Sequence, residues 1–131
     1  MNKLLEIKNL RVQYETFEGT VKAVNGLNMK IDTKQTLGLV GETGAGKTTT
    51  ALSIMKLISD PPGKIIEGDI FYKNQKISDF TDKEMRSIRG DEIAMIFQDP
   101  MTSLNPVISV GLQIAEIIQA HENLNKNKAM E

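Results

Sequence analysis

The sequence predicts an α/β fold: a core in which a glycine-rich loop joins a buried strand to a helix, preceded by an antiparallel β-subdomain. Three observations predict it. Two runs of nearly alternating apolar residues occupy residues 4–31, a short and almost continuously apolar run follows at 36–40, and a loop with glycines at 41, 44 and 46 leads from that run into a helical pattern. Alternation marks strands with one wet face, whereas a continuous apolar run marks a strand covered on both faces.

In chain order, Leu4 to Tyr14 reads as a strand with Leu5, Ile7, Leu10, Val12 and Tyr14 as its apolar set. Glu15 to Thr20, containing Gly19, reads as a turn. Val21 to Ile31 is a second strand, with Val24, Leu27, Met29 and Ile31 as its apolar set, so the pair predicts a hairpin. Thr36 to Val40 is the buried strand, and a helix runs from about Lys47 to Ser59. Asp60-Pro61-Pro62-Gly63 is expected to stop it, since proline lacks the N–H that a helix needs. Ile65 to Ile77 is again β-rich, turning at Asn74, with Ile66, Ile70, Tyr72 and Ile77 apolar. Ser78 or Thr81 can cap a short helix through Arg86, and Thr81 has Glu84 three residues on, as a capping box requires. Ile93 to Phe97 reads as a buried strand. Val107 to His121 reads as a helix with Val110, Ile114, Ile117 and Ile118 on one face, and the polar end of the chain is expected to fray.

Composition excludes several classes. The 131 residues suffice for one domain with a core, and 40% hydrophobic with 25% charged is ordinary for a globular chain. Sixteen Lys and Arg against 17 Asp and Glu leave a formal charge of −1, with none of the basic excess of a dedicated nucleic-acid binder. Cysteine is absent, which excludes disulfides and thiolate metal sites. Charges interrupt the first 15 residues, so they are not a signal peptide, and no run approaches the 18 or so apolar residues of a membrane span.

The loop carries the chemistry. Gly41-Glu42-Thr43-Gly44-Ala45-Gly46-Lys47-Thr48 fits the pattern of a phosphate-binding loop, in the strand-to-helix context that the pattern requires. Backbone N–H groups converge on phosphate oxygens only where side chains do not intervene, hence the glycines. The helix N-terminus adds partial positive charge and unpaired donors. Lys47 is placed to meet the β- and γ-phosphates, the Thr48 hydroxyl to bind Mg²⁺, and Thr49 to donate to the α-phosphate. The expected ligands are a nucleoside triphosphate, ATP above all, and Mg²⁺.

The loop alone does not choose among kinases, GTPases, motors and transporter ATPases. The surrounding sequence resembles the ATP-binding-cassette (ABC) ATPases, in their oligopeptide, dipeptide and nickel import branch. LLEIKNLRVQYET with GTVKAVNGLNMKI resembles that family's β-subdomain, TLGLVGETGAGKTTTALSIMKLI its phosphate loop and helix, and IAMIFQDPMTSLNPVISVGLQIAE its Gln-loop region. The likeness runs from Leu4 to about Gln119.

The resemblance implies a phosphate-loop NTPase core with an N-terminal antiparallel β-subdomain, truncated at the start of a helical subdomain. Residues 1–35 and 64–78 would form the β-subdomain, 36–60 and 91–98 the core, and 99–121 the start of the helical part. It implies that Tyr14 stacks on adenine, with Phe17 as a rival, and that Gln98 touches Mg²⁺ or the attacking water. It implies transmembrane permease subunits and a second ATPase, paired head-to-tail, as partners at the cytoplasmic face of a membrane. The family's signature loop, Walker B acid with catalytic Glu, and switch histidine do not occur here. The chain is therefore expected to be an N-terminal part that binds ATP and alone hydrolyses it very slowly.

Two other readings stay open. Ile93 to Phe97 followed by Asp99 has the form of a Walker B strand, so a small kinase using Asp99 as its metal carboxylate is one. A non-catalytic ATP-binding module is the other. His121, the only histidine, is expected to be an exposed residue near a helix end.

Overall fold

The computed structural model describes residues 3–99, 103–122 and 124–130. The chain falls into two compact units, Met1–Met85 and Arg86–Glu131.

The first unit is built on a four-stranded antiparallel sheet. Strands β1 (Lys3–Thr16), β2 (Gly19–Asp32), β3 (Gly63–Tyr72) and β4 (Gln75–Lys76) lie in the order β2-β1-β3-β4. The first hairpin is tighter than predicted: Thr16 pairs Gly19, so only Phe17 and Glu18 form the turn. The Thr16 hydroxyl donates to the Gly19 carbonyl at 2.7 Å, and Thr20 donates to the Glu15 carboxylate at 2.9 Å, fastening the strand ends.

The alternation in β1 skips one residue between Ile7 and Leu10, and the register of β1 with both neighbours shifts there. Asn9 takes a positive φ of 48°, which its short polar side chain tolerates. This bulge returns Leu10 to the inner face, where Leu5, Ile7, Leu10 and Val12 are all buried. Opposite it, Gly68 has a φ of 115°, and a Cβ there would lie 2.5 Å from the Leu10 Cα, so only glycine fits. The Asn28 side chain accepts from the Asn9 N–H at 3.0 Å, replacing a ladder partner that the bulge removes. The same bulge region moves the phase of β3, so that Ile66, predicted to face the core, is exposed while Ile70 and Tyr72 are buried.

Helix α1 (Lys47–Ile54) ends a turn earlier than predicted. The Leu57 N–H donates to the Leu52 carbonyl at 2.8 Å and the Lys56 N–H to the Ser53 carbonyl at 3.1 Å, with Lys56 at a φ of 50°. That is a Schellman cap, and it stops the helix before the prolines are reached. Lysine is an uncommon residue for this conformation. Its ammonium donates to the carbonyls of Ser78, at 2.9 Å, and Phe80, at 2.5 Å, which offsets the backbone cost.

A 3₁₀ turn at Ile77–Asp79 leads to α2 (Asp82–Ile88), whose N-terminus is the predicted capping box. The Thr81 N–H donates to the Glu84 carboxylate at 2.7 Å, and the Glu84 N–H returns to the Thr81 hydroxyl at 3.3 Å. The hydroxyl and N–H of Thr81 hold the Glu84 carboxyl below its usual value of 4.5. A depressed carboxyl contributes stability that is present above the unfolded value and lost as pH falls through the folded one. The protection of the amides at the start of α2, relative to their intrinsic exchange rate, is therefore expected to fall as pH drops below the usual carboxyl value, and Glu84→Gln to flatten that response. A profile unchanged by the substitution would remove the carboxylate from the cap.

The second unit holds α3 (Val110–Glu122) and α4 (Lys126–Met130). The end of the chain, expected to fray, is helical because Asn125 caps it, accepting from the Lys128 N–H at 3.0 Å. Gln113 clamps the preceding loop. It accepts from the Asn105 N–H and donates to the carbonyls of Asn105 and Ile108, all within 3.0 Å. The predicted apolar face of α3 is not its buried face: Val110, Ile114 and Ile117 are exposed and Ala115 is buried.

Both predicted core strands differ from expectation. Residues 36–40 enter no ladder, and Val40 is 93% exposed. Ile93 makes only an isolated parallel bridge with Arg89, and Ile96 is 97% exposed. A parallel strand gains its hydrogen bonds only from flanking strands, and among the described residues neither segment has a strand paired along it.

Candidate functional site

The phosphate-binding loop lies wholly within the first unit. Gly44 and Gly46 take positive φ values of 84° and 81°, which bend the chain back before it enters α1. The Ala45 N–H closes a turn onto the Glu42 carbonyl at 3.1 Å. Gly46 is the N-cap, and the helix opens with the Thr50 N–H on the Gly46 carbonyl at 2.8 Å. The N–H groups of Lys47, Thr48 and Thr49 precede that first bond and have no partner within the helix, so the loop ends in a cluster of free donors.

The Lys47 ammonium folds back over the loop, donating to the carbonyls of Gly41 at 2.6 Å and Glu42 at 2.7 Å. A single cation thus sits inside the curve drawn by Gly41 to Gly46. Thr48 is exposed, and its hydroxyl makes no hydrogen bond among the described residues. Thr50 and Ser53 are buried and turn inward, their hydroxyls donating to the Gly46 and Thr49 carbonyls at 2.9 and 2.7 Å. The threonine run is therefore divided by role: Thr48 outward, Thr50 bonded to its own helix.

Strand β2 supports the loop from one side. A Cβ on Gly46 would run into the Ala23 carbonyl oxygen, with the Val24 side chain 3.2 Å away. Gly46 thus answers two demands, a left-handed backbone and a neighbour's main chain. A cleft of about 360 Å³ lies alongside, between residues 23–28 of β2 and a wall that includes Val40, Ala45, Gly46, Lys47 and Thr50. The contact with Ala23 carries no sequence signal, since the partner is a backbone atom.

Gly41 to Thr49 are consecutive and form one loop and helix start. Tyr14 is half-buried on the inner face of β1 in the same unit, while Phe17, its rival, is fully exposed at the hairpin turn. Gln98 and Asp99 belong to the second unit, where both are exposed in a segment without regular structure. His121 is exposed in the last turn of α3, its ring against the main chain of Gly90. Among the described residues no group of three or more His, Asp or Glu is arranged to hold a metal. A cation at this loop would need phosphate oxygens beside the Thr48 hydroxyl, as Mg²⁺ bound with a nucleotide has.

A glycine-rich loop running into a capped helix, with an inward lysine, defines a phosphate-loop protein. The chain belongs to the ABC transporter family, whose profile matches residues 24–131. It is 46% identical over 129 residues to the oligopeptide transport ATP-binding protein OppD of Bacillus subtilis, and 44% identical over 129 residues to the dipeptide transport ATP-binding protein DppD of the same organism. Both alignments cover 98% of this chain but only 36% and 38% of the relatives, so it spans little more than a third of their length. In fold it is similar to MJ0796, a bacterial ABC transporter cassette solved as a dimer, with a TM-score of 0.79 and 24% identity over 97% of this chain and 53% of that one. The fold class read from the sequence, a phosphate-loop NTPase core with an antiparallel β-subdomain, therefore stands, although the two core strands are unpaired here.

Proposed function

We propose that the chain binds ATP with Mg²⁺ through Gly41 to Thr49 and is part of the ATPase subunit of a peptide importer. The observation that carries the binding reading is the loop itself: free N–H groups of a helix start, and the Lys47 ammonium held inside the curve by two carbonyls. In this reading Lys47 exchanges those carbonyls for the β- and γ-phosphates, and Thr49 donates to the α-phosphate. Thr48 would hold the Mg²⁺ through its hydroxyl, and the ion would supply positive charge against the phosphates. Tyr14 stacks on the base, its half-buried place being better suited than the turn position of Phe17.

Gln98 is assigned to Mg²⁺ or the attacking water by resemblance, and a neutral amide can both accept from water and coordinate. Residues 1–35 and 64–78 then form the β-subdomain, 36–60 and 91–98 the core and 99–121 the start of the helical subdomain. Import of peptides or related small solutes, permease subunits, a head-to-tail second ATPase and the cytoplasmic membrane face follow from kinship to OppD and DppD. They concern a protein of the relatives' full length. The chain by itself is expected to bind ATP and turn it over very slowly, because the water-positioning and charge-stabilising groups of the family are not in it.

Asp99→Ala separates this reading from a small kinase. In the purified chain, Mg²⁺-dependent ATP affinity measured by calorimetry is expected to stay within about twofold of the unaltered value, since less than about 0.5 kcal/mol is at stake for an exposed residue that holds no metal. A loss of about a hundredfold would make Asp99 the metal carboxylate and sink the transporter assignment of that segment.

A further inference from the structure

We propose that Gly63 is a positioning residue for nucleotide recognition, its missing side chain seating the Tyr14 ring that stacks on the base; the proposal rests on that reading of Tyr14. Tyr14 and Gly63 are directly paired across β1 and β3. A Cβ built on Gly63 would lie 2.6 Å from Tyr14 Cε1, 3.0 Å from Tyr14 Cδ1 and 2.7 Å from Ile58 Cγ2. One side of the tyrosine ring therefore rests on the β3 main chain at the only height that glycine permits.

The usual reason for glycine does not apply at this position. Gly63 is not among the residues with positive φ, unlike Gly44, Gly46 and Gly68. Glycine in a strand weakens it through lost entropy and lost packing, so its presence here needs a compensating contact. The ring supplies it: Gly63 is buried, and Tyr14 covers it.

The main chain around the pair is also tied down. The Glu15 N–H donates to the Pro62 carbonyl at 2.9 Å, and the Gly63 N–H to the Ser59 carbonyl at 2.8 Å. These bonds hold the main chain in place around the pair, so a methyl group would be admitted by the ring rotating or lifting and by the Ile58 side chain turning aside. A stacking surface is sensitive to such a change, since a base pairs with an aromatic ring only at matched tilt and height. Contacts to the triphosphate, made by a different segment, are not.

The test compares ATP with inorganic tripolyphosphate, which lacks the base, by calorimetry on the purified chain. Gly63→Ala is expected to weaken ATP about fivefold while leaving tripolyphosphate unchanged, and Tyr14→Leu to weaken ATP about tenfold with the same selectivity. In the Tyr14→Leu background, Gly63→Ala is expected to cost nothing further, because the ring it displaces is gone. Equal losses for both ligands in Gly63→Ala would overturn the proposal in favour of a general packing role. An unchanged ATP preference in Tyr14→Leu would overturn the stacking reading and this proposal together, whereas a changed one with Gly63→Ala inert would overturn this proposal alone. Should Gly63→Ala fail to fold, proton NMR of the unaltered chain decides. Upfield-shifted Gly63 α-protons that move with ATP and not with tripolyphosphate support the seat, and unshifted ones refute it.

Discussion

Replacing Lys47 with alanine is expected to weaken ATP binding by about a hundredfold or more, with little change in the melting temperature. The lysine is the one cation inside the described loop, and its hydrogen bonds go to the Gly41 and Glu42 carbonyls, both on exposed residues. Losing a charge-assisted contact to phosphate costs about 1.5–3 kcal/mol per bond, and about 1.4 kcal/mol is a factor of ten in affinity. The two carbonyls released by the substitution stay accessible to water, so the fold loses little. Calorimetry with ATP and a thermal melt check both halves. Unchanged affinity would refute the phosphate-loop assignment on which every reading of this chain depends.

The second large effect is expected at Gly46. Alanine there must hold a φ of 81°, which costs about 1–2 kcal/mol, and its methyl group must also displace the Ala23 carbonyl of β2. Overpacking of that kind adds about 1–3 kcal/mol. Gly44 is the built-in control. It has a similar φ of 84° but nothing within 4 Å of its missing Cβ, so Gly44→Ala should carry the backbone term alone. Gly46→Ala is therefore expected to lower the melting temperature well beyond Gly44→Ala and to abolish ATP binding by moving the helix start. Equal melting temperatures for the two would show that β2 does not brace the loop.

The comparison of these two glycines shows what sequence can and cannot express. The loop's motif was legible because it is a local pattern: glycines, lysine and threonine at fixed spacing before a helix. The capping box at Thr81 and Glu84 was legible for the same reason. So was the skipped residue in β1, visible as two polar residues between Ile7 and Leu10. The motif fixes Gly46 and leaves Gly44 free, but only the fold shows why: one faces a carbonyl and the other faces space.

Features that depend on a partner are not legible in this way. Residues 36–40 and 93–97 have the composition of covered strands, yet a strand is a relation between segments, and among the described residues no ladder forms along either one. Proline is a strong local signal, so the sequence points to the prolines as the end of α1. The Schellman cap acted sooner, made by a lysine whose left-handed conformation is bound up with two carbonyls more than twenty residues away. The face of α3 has the right period, but periodicity states which residues share a side, not what lies against that side. Gln98 was assigned from kinship, and its role stays tied to that kinship because it falls in the other unit.

The bulge at Asn9 has a consequence for accuracy. A uniform antiparallel ladder can slide by two residues and still present the same face to the core. This one cannot, because a shift would carry Leu10 away from Gly68, and no other residue of β3 has the left-handed backbone and bare Cα that the crossing demands. The sheet is keyed to a single alignment. Further register shifts follow along β1, the last between Val12 and Gln13, and together with the bulge they set Val12 opposite Val24 and Tyr14 opposite Val21. The irregularities of β1, rather than its regular stretches, thus set the gauge between the two ends of the proposed nucleotide site.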